Sequence, residues 1–331
     1  MDKIYIVTGA SGYLGSEVCR QLLKRGDTVR TLSRQKKHRS HIPEGTKVYA
    51  GNLLDRKSLD RLFETDGPCD FVVIHCAAKI SVRKHDQSGY LINVEGTRNI
   101  ISACKEHNVS KLVYVGSVDS LYNPGNGATI YEPAEFYLSK PSMDYARGKC
   151  DAAALAIKAA RDGLNCTVVL PAALIGPGDY NGGLISMMFK MYLKGLPPVS
   201  ISGGYDFVDV RDAAKGVLLA AEKGKSGSSY ILSGHFRSVT EIFDIMADGL
   251  NRHKTLITLP AKIVYPALPL ISGAAALAHK EPSITPNALK LLESRAVFSH
   301  RKAEKELGYT IRPIRRTVYD TLAFIKKTNN L

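Results

Sequence analysis

Apolar residues along the chain follow two alternating rhythms. Short, mainly apolar runs stand at residues 4–7, 29–32, 71–75, 112–115 and 166–170. Between them, over 13–25, 58–63, 90–107 and 143–161, apolar positions recur every three or four residues. A short unbroken apolar run suits a strand buried on both faces, and helical spacing between such runs suits crossover helices. Gly26 and Gly163 directly follow two of the helical stretches, where helices end most readily. The pattern predicts an α/β fold with a doubly wound parallel sheet and right-handed crossovers.

After about Pro171 the rhythm weakens. Gly176-Pro177-Gly178-Asp179, Asn181-Gly182-Gly183 and Leu196-Pro197-Pro198 mark loops. A strand pattern returns at 229–232 after a helical stretch at 211–223, and from Thr240 onward the pattern is mainly helical. This predicts a sheet domain over 1–175, with 206–236 returning to it. A smaller, mainly helical C-terminal substrate lobe takes 176–205 and 237–331. The chain contains no internal repeat and no low-complexity linker.

Directly after the first run stands Thr8-Gly9-Ala10-Ser11-Gly12-Tyr13-Leu14-Gly15, which leads into the first helical stretch. Such a loop lets backbone N–H groups approach a pyrophosphate at a helix N-terminus, and here the strand, the helix and the βαβ unit that give it this meaning are all predicted. The competing reading is a turn that needs glycine only for positive φ. Gly9, Ser11, Gly12, Tyr13, Leu14 and Gly15 are the candidate cofactor residues, and a Rossmann-type sheet follows. In such sheets an acidic residue at the end of the second strand selects NAD by accepting from the adenosine ribose. This chain instead reads Ser33-Arg34-Gln35-Lys36-Lys37-His38-Arg39. A guanidinium at Arg34 can grip a 2′-phosphate, which favours NADP(H) over NAD(H); the alternative is a basic loop that merely faces solvent.

Tyr145 and Lys149 stand four residues apart within the stretch 143–161 and therefore share a helix face. A free phenol titrates near about 10, and a neighbouring cation is expected to bring it toward working pH, so that Tyr145 can exchange a proton with a carbonyl or alcohol oxygen. The spacing is common on helices by chance. Its place between the fifth and sixth strands of a dinucleotide fold is what lends it weight. Ser117, at the end of the strand-like stretch 111–116, sits where strand ends face the cofactor crevice, and its hydroxyl can hold a substrate oxygen. A strand-end turn serine is the plainer alternative.

Composition narrows the class. With 331 residues, 44% of them hydrophobic, the chain can bury a large core. Its net charge of +14 is spread along the sequence without a nucleic-acid-binding motif, so a solvated basic surface is expected and no nucleic-acid partner. The six cysteines show no CxxC spacing or clustering with histidine, which predicts reduced packing residues and no metal site. The N-terminus runs straight into the first strand pattern without the features of a signal peptide, so a cytoplasmic location is expected. Residues 263–278 carry no charge, but they fall short of the roughly 20 a span needs, and Pro266, Pro269 and Gly273 interrupt them. A buried or interfacial helix is expected there, with membrane-surface contact as the alternative and no membrane span.

Taken together, Thr8-Gly9-x-x-Gly12-x-x-Gly15, Ser117 and Tyr145-x-x-x-Lys149 resemble the extended short-chain dehydrogenase/reductases of the NAD-dependent epimerase/dehydratase superfamily. The resemblance is to the dihydroflavonol-4-reductase-like branch, which includes cinnamoyl-CoA reductases and is related to 3β-hydroxysteroid dehydrogenases. It extends over essentially the whole chain, through Gly51-Asn52-Leu53-Leu54-Asp55, His75-Cys76-Ala77-Ala78, Asn93-Val94-Glu95-Gly96-Thr97, Pro171 to Pro177 and Phe207 to Asp212. It implies that Asn52 and Leu53 contact the adenine, although aspartate is usual at the first of these. It further implies that Ala77, Ala78 and Lys79 line the cofactor, that Pro171, Ala172 and Leu174 flank the nicotinamide, and that Asn93 is a structural or proton-relay residue. Two positions depart from the pattern: Gly116 stands where serine or threonine is frequent, and Leu170 where arginine is common.

The function these features imply is reduction of an aldehyde or ketone by NADPH, reversible as alcohol oxidation. The alternatives are a 3β-hydroxysteroid dehydrogenase-like enzyme and a nucleotide-sugar epimerase or dehydratase with bound NAD. A dinucleotide-binding regulator without turnover is a fourth reading, which the complete Ser117, Tyr145 and Lys149 set argues against. The expected partner is a small-molecule carbonyl or alcohol substrate, and the resemblance implies a monomer or homodimer.

Overall fold

The computed structural model describes residues 2–34, 41–81, 85–125, 127–138, 143–195, 199–252, 257–269 and 286–329. In chain order the strands begin with β1 (Asp2–Thr8), β2 (Thr28–Ser33), β3 (Lys47–Ala50), β4 (Cys69–His75), β5 (Lys111–Val115) and β6 (Thr129–Ile130). They continue with β7 (Cys166–Pro171), β8 (Ala173–Ile175), β9 (Val199–Ile201), β10 (Gly204–Asp209), β11 (Ser229–Leu232) and β12 (His235–Ser238). The helices used below are α1 (Tyr13–Lys24), α2 (Arg56–Asp60), α3 (Gln87–Glu106), α4 (Asp144–Arg161), α5 (Leu184–Leu193), α6 (Val210–Lys223) and α7 (Val239–Gly249).

Seven strands form one sheet in the order β11-β7-β5-β4-β1-β2-β3, and every neighbouring pair is parallel. The chain builds outward from β1 to β3 and then returns to the other side of β1 with β4. This reversal opens a crevice at the C-terminal ends of β1 and β4, where sheets of this kind bind ligands. The predicted Rossmann-type sheet is therefore the observed one. Each predicted run lies within a strand, as expected where a strand covered on both faces is mostly apolar.

Strands β3 and β10 are among those that the periodicity missed, each for a physical reason. At the sheet edge, β3 has exposed ends and half-buried middle residues, so it shows no continuous apolar run. By contrast β10 is buried throughout yet contains Asp206 and Asp209. Asp206 accepts backbone N–H bonds from Gly234 at 2.8 Å and Phe298 at 3.3 Å, and Asp209 pairs with Arg211 at 2.7 Å, so both carboxyls are satisfied inside the protein. In a second small sheet, β10 pairs antiparallel with β12 and parallel with β8.

Helix α1 buries Leu14, Val18, Cys19 and Leu22, one apolar stripe, and packs beside α6. Helix α4 packs against α3 and β7 with small residues, burying Ala152, Ala153, Ala156 and Ala159. Gly148 of α4 lets Tyr90 and Asn93 of α3 come close: a Cβ there would lie 3.4 Å from the Tyr90 ring. One hydrophobic cluster runs from β1 through α7 to the C-terminal helix Ile314–Asn329. Four cysteines are buried and two, Cys69 and Cys76, are half-buried, all as free thiols.

The apolar segment 263–278 is described only in part. Val264 and Leu268 join Leu289 in a small separate cluster while Ile263 is exposed; residues 270–278 lie outside the described residues. Among the described residues, no helix is long and apolar enough to cross a membrane.

Candidate active site

The glycine loop meets the end of β4 backbone to backbone. Gly9 has φ of +76°, and a Cβ there would lie 2.7 Å from the Ala77 nitrogen. A Cβ at Gly15 would fall on the Gly9 carbonyl oxygen, so the start of α1 can pack onto the loop only with glycine there. The Gly12 N–H donates to Gly9 O at 2.8 Å and closes the turn. Gly12 caps α1 without a side-chain hydrogen bond, and the first turn carries no acidic residue, so its N–H groups are neither capped nor opposed by a carboxylate.

Tyr13 differs from what its place in the motif suggests. Its phenol donates to Gly176 O at 2.6 Å and ties the loop to the end of β8, so its hydroxyl is already engaged. Asn181 adds a second tie, donating to Ser11 O at 3.2 Å.

His75 braces the same junction from below. Thr97 gives its proton to Asn93 O at 2.6 Å, so His75 Nε2–H donates to Thr97 Oγ1 at 3.1 Å and Nδ1 accepts from Thr8 Oγ1 at 2.6 Å. Ala77 N–H then donates to Thr8 Oγ1 at 3.2 Å. Burial, with the Lys149 ammonium adding to it, holds the imidazole neutral by pushing its pKa down to about 3.

The remaining cofactor candidates lie on the C-terminal side of the sheet. Arg34 follows β2 directly and is exposed; the basic run 35–39 lies outside the described residues. Asn52, after β3, accepts from Leu54 N–H at 3.2 Å through Oδ1, and Leu53 O accepts from Asn99 at 2.8 Å. Ala77 and Ala78 are half-buried. Lys79 turns its ammonium onto Ser88 at 2.7 Å and Asp86 at 3.1 Å, while Asn93 clasps the Lys79 backbone from both sides, at 2.8 and 3.1 Å. Asn93 thus holds the loop after β4. Pro171 ends β7 opposite Leu232, Ala172 is buried, and Leu174 of β8 pairs with Val208.

Ser117 follows β5, and its Oγ caps the 3-10 turn Val118–Ser120. Tyr145 lies in the first turn of α4, with its phenol near enough to the Ser117 hydroxyl for its pKa to be lowered by it. One turn on, the buried Lys149 ammonium donates to Val115 O at 2.7 Å and sits 5.3 Å from the Tyr114 ring centroid. The three groups expected from the sequence therefore converge at the end of β5. Burial lowers Lys149 to about 8, with Cys76 and Asp119 opposing.

The expected lowering of the Tyr145 pKa is not found. Burial and the Asp119 carboxyl push it well above the ordinary phenol value, and only the Ser117 hydrogen bond pulls it back. Lys149, whose ammonium donates to Val115 O, is not among the groups that shift it.

Two site residues escaped the sequence reading. Asp119, two residues beyond Ser117, accepts from Tyr205 OH at 2.9 Å. An acidic residue among Val118, Ser120 and Leu121 just after a central strand was the available signal for Asp119. Tyr205 lies on β10, and no local pattern ties it to Ser117.

The two departures from the family pattern meet in space. A Cβ on Gly116 would lie 2.8 Å from Leu170 Cδ2 and 3.3 Å from Val169 O, and Leu170 is fully buried. Glycine at 116 accommodates leucine at 170.

The family profile of the NAD dependent epimerase/dehydratase family matches residues 5–233, which include the glycine loop, Ser117, Tyr145 and Lys149. The chain is 27% identical to sterol demethylase protein B of Methylococcus capsulatus, with 97% of the chain and 98% of that protein covered. It is 25% identical to cinnamoyl-CoA reductase 2 of Medicago truncatula, with 100% and 93% covered. The crystal structure of gox2253 matches with a TM-score of 0.82 at 28% identity, covering 100% of both chains. The chain accordingly belongs to the NAD-dependent epimerase/dehydratase family of extended short-chain dehydrogenase/reductases and is an NAD(P)-dependent oxidoreductase acting between alcohol and carbonyl groups.

Proposed function

We propose that this protein is an NADPH-dependent reductase of an aldehyde or ketone, reversible as an alcohol dehydrogenase. The convergence of Ser117, Tyr145 and Lys149 at the end of β5, beside the crevice at the ends of β1 and β4, carries this reading. The residues present fit a dinucleotide: the glycine cradle would be filled by any Cβ, the first turn of α1 is uncapped, and Arg34 is exposed beyond β2.

Gly9, Ser11, Gly12, Tyr13, Leu14 and Gly15 would hold the pyrophosphate, Arg34 the 2′-phosphate, and Asn52 and Leu53 the adenine. Ala77, Ala78, Lys79, Pro171, Ala172 and Leu174 would border the nicotinamide half, with Tyr145 and Lys149 at its ribose. When bound, the cofactor supplies a hydride to the carbonyl carbon. Ser117 positions the carbonyl, and Tyr145 donates its proton to the oxygen. A phenol pushed upward keeps that proton at neutral pH, which suits the reductive direction.

The test is NADPH oxidation against a panel of aldehydes, ketosteroids and nucleotide sugars. Tyr145→Phe is expected to lower kcat by roughly 10²- to 10⁴-fold while NADPH still binds. Near-normal reduction by that variant would overturn the assignment of the proton donor. Similarity to sterol demethylase protein B supports a hydroxysteroid-type substrate as a second reading within the same chemistry. NAD released on denaturation, with no NADPH turnover, would instead support the epimerase or dehydratase reading.

A further inference from the structure

The chemistry above leaves unused a carboxyl that stands beside Ser117. Asp119 lies in the 3-10 turn Val118–Ser120, and four other side chains surround it. Within the turn, its backbone N–H donates to Ser117 Oγ at 3.2 Å, and Ser117 Oγ lies 3.2 Å from its Oδ2. From β10, Tyr205 OH donates to its Oδ1 at 2.9 Å. From α4, Tyr145 and Lys149 both feel its charge, and Lys149 also interacts with the Cys76 thiol after β4. Burial pushes the Asp119 carboxyl up, against the two hydroxyl donors and Lys149.

Ser117 has a single hydroxyl proton to give. An ionised Asp119 accepts it, and none is left for a substrate oxygen. A neutral Asp119, with Oδ1 accepting from Tyr205, carries its proton on Oδ2 and can donate to Ser117 Oγ. The Ser117 proton is then free to turn toward the substrate. We propose that Asp119, oriented by Tyr205, is a positioning residue that sets the direction of the Ser117 hydroxyl. Neutral Asp119 makes Ser117 a donor to a carbonyl oxygen; ionised Asp119 makes it an acceptor from an alcohol. This deepens the reductase reading and rests on it. Asp119 keeps its own proton during turnover, and the proton transferred to product is that of Tyr145.

Titration of the full chain labelled with ¹³C at aspartate carboxyls tests the relay directly, with the Asp119 signal assigned by its loss in Asp119→Asn. The midpoint is expected above the ordinary carboxylate range, to rise further in Tyr205→Phe, which removes a donor that favours the carboxylate, and to move in Ser117→Ala, which removes the partner of both protonation states. An ordinary midpoint, or one that Ser117→Ala does not move, overturns the proposal. With NADPH and 4-nitrobenzaldehyde as probe, wild-type kcat should fall as pH rises through that midpoint. Asp119→Asn can donate to Ser117 at every pH and should lack that fall. Asp119→Ala should lose up to about 10²-fold in kcat with a smaller change in KM, as for one misdirected donor to the reacting oxygen. A fall at the Asp119 midpoint that persists in Asp119→Asn also overturns it, whereas the decline near pH 8 assigned to Lys149 is expected in both. If the wild type oxidises NADPH with no carbonyl of the panel, the reductase reading fails, while the titration still decides whether Asp119 and Ser117 are coupled.

Discussion

Lys149 is a surface residue type that this fold has placed in its interior. Burial brings its ammonium down to about 8 from 10.5, so the charged form is complete below that value and is lost as pH rises through it. For activity, the prediction is that kcat/KM for NADPH-dependent reduction declines above about pH 8. Lys149→Arg stays charged at every accessible pH and, whatever its absolute rate, should show no such decline. A decline at the same pH in that variant would assign the limb to another group. For stability the sign is opposite. Between about 8 and 10.5 the unfolded chain holds the proton that the folded protein has shed, so the contribution of this lysine to stability rises with pH across that window.

At the level of elements, the site depends on how closely strand ends and helix starts approach. Gly9 and Gly15 keep β1, α1 and the end of β4 in backbone contact, and His75 with Thr8 and Thr97 links β1, β4 and α3. The pairing of β5 with β7 contains a further constraint, since Gly116 leaves room for the buried Leu170. Gly116→Ala is predicted to destabilise the protein by about 1–3 kcal/mol in urea unfolding, the usual result of overpacking a filled core. Leu170→Ala in the same chain should recover part of that loss, giving a coupling energy of at least about 0.5 kcal/mol. Strict additivity of the two changes would show that the residues do not share the space.

At the scale of the whole molecule, the sheet reversal gathers residues from distant parts of the chain onto one crevice, and the exposed Arg34 directly follows β2. A ligand at about 100 times its Kd adds about 2.7 kcal/mol to the folded state, enough to read as a shift in Tm. NADPH is predicted to raise Tm more than NADH at equal concentration, and Arg34→Ala to erase the difference. Equal shifts from the two cofactors in the wild type would remove the case for NADP(H).

The sequence by itself determined the strands and helices that are apolar or amphipathic throughout, and with them the glycine loop. These are local patterns: a strand covered on both faces must be apolar, and a turn with φ of +76° at Gly9 favours glycine. It also placed Tyr145 and Lys149 one turn apart, because helix geometry fixes that spacing. Tertiary structure alone decided their electrostatics. The Lys149 ammonium is turned onto the Val115 carbonyl, and a carboxyl from the β5 end raises the tyrosine that the lysine was expected to lower. It likewise decided that β10, with two aspartates, could be buried, since their partners come from the turn between β11 and β12, from α6 and from residues beyond 290. The Asp119–Tyr205 contact joins residues 86 positions apart, and burial and pairing at that separation are properties of the packed chain.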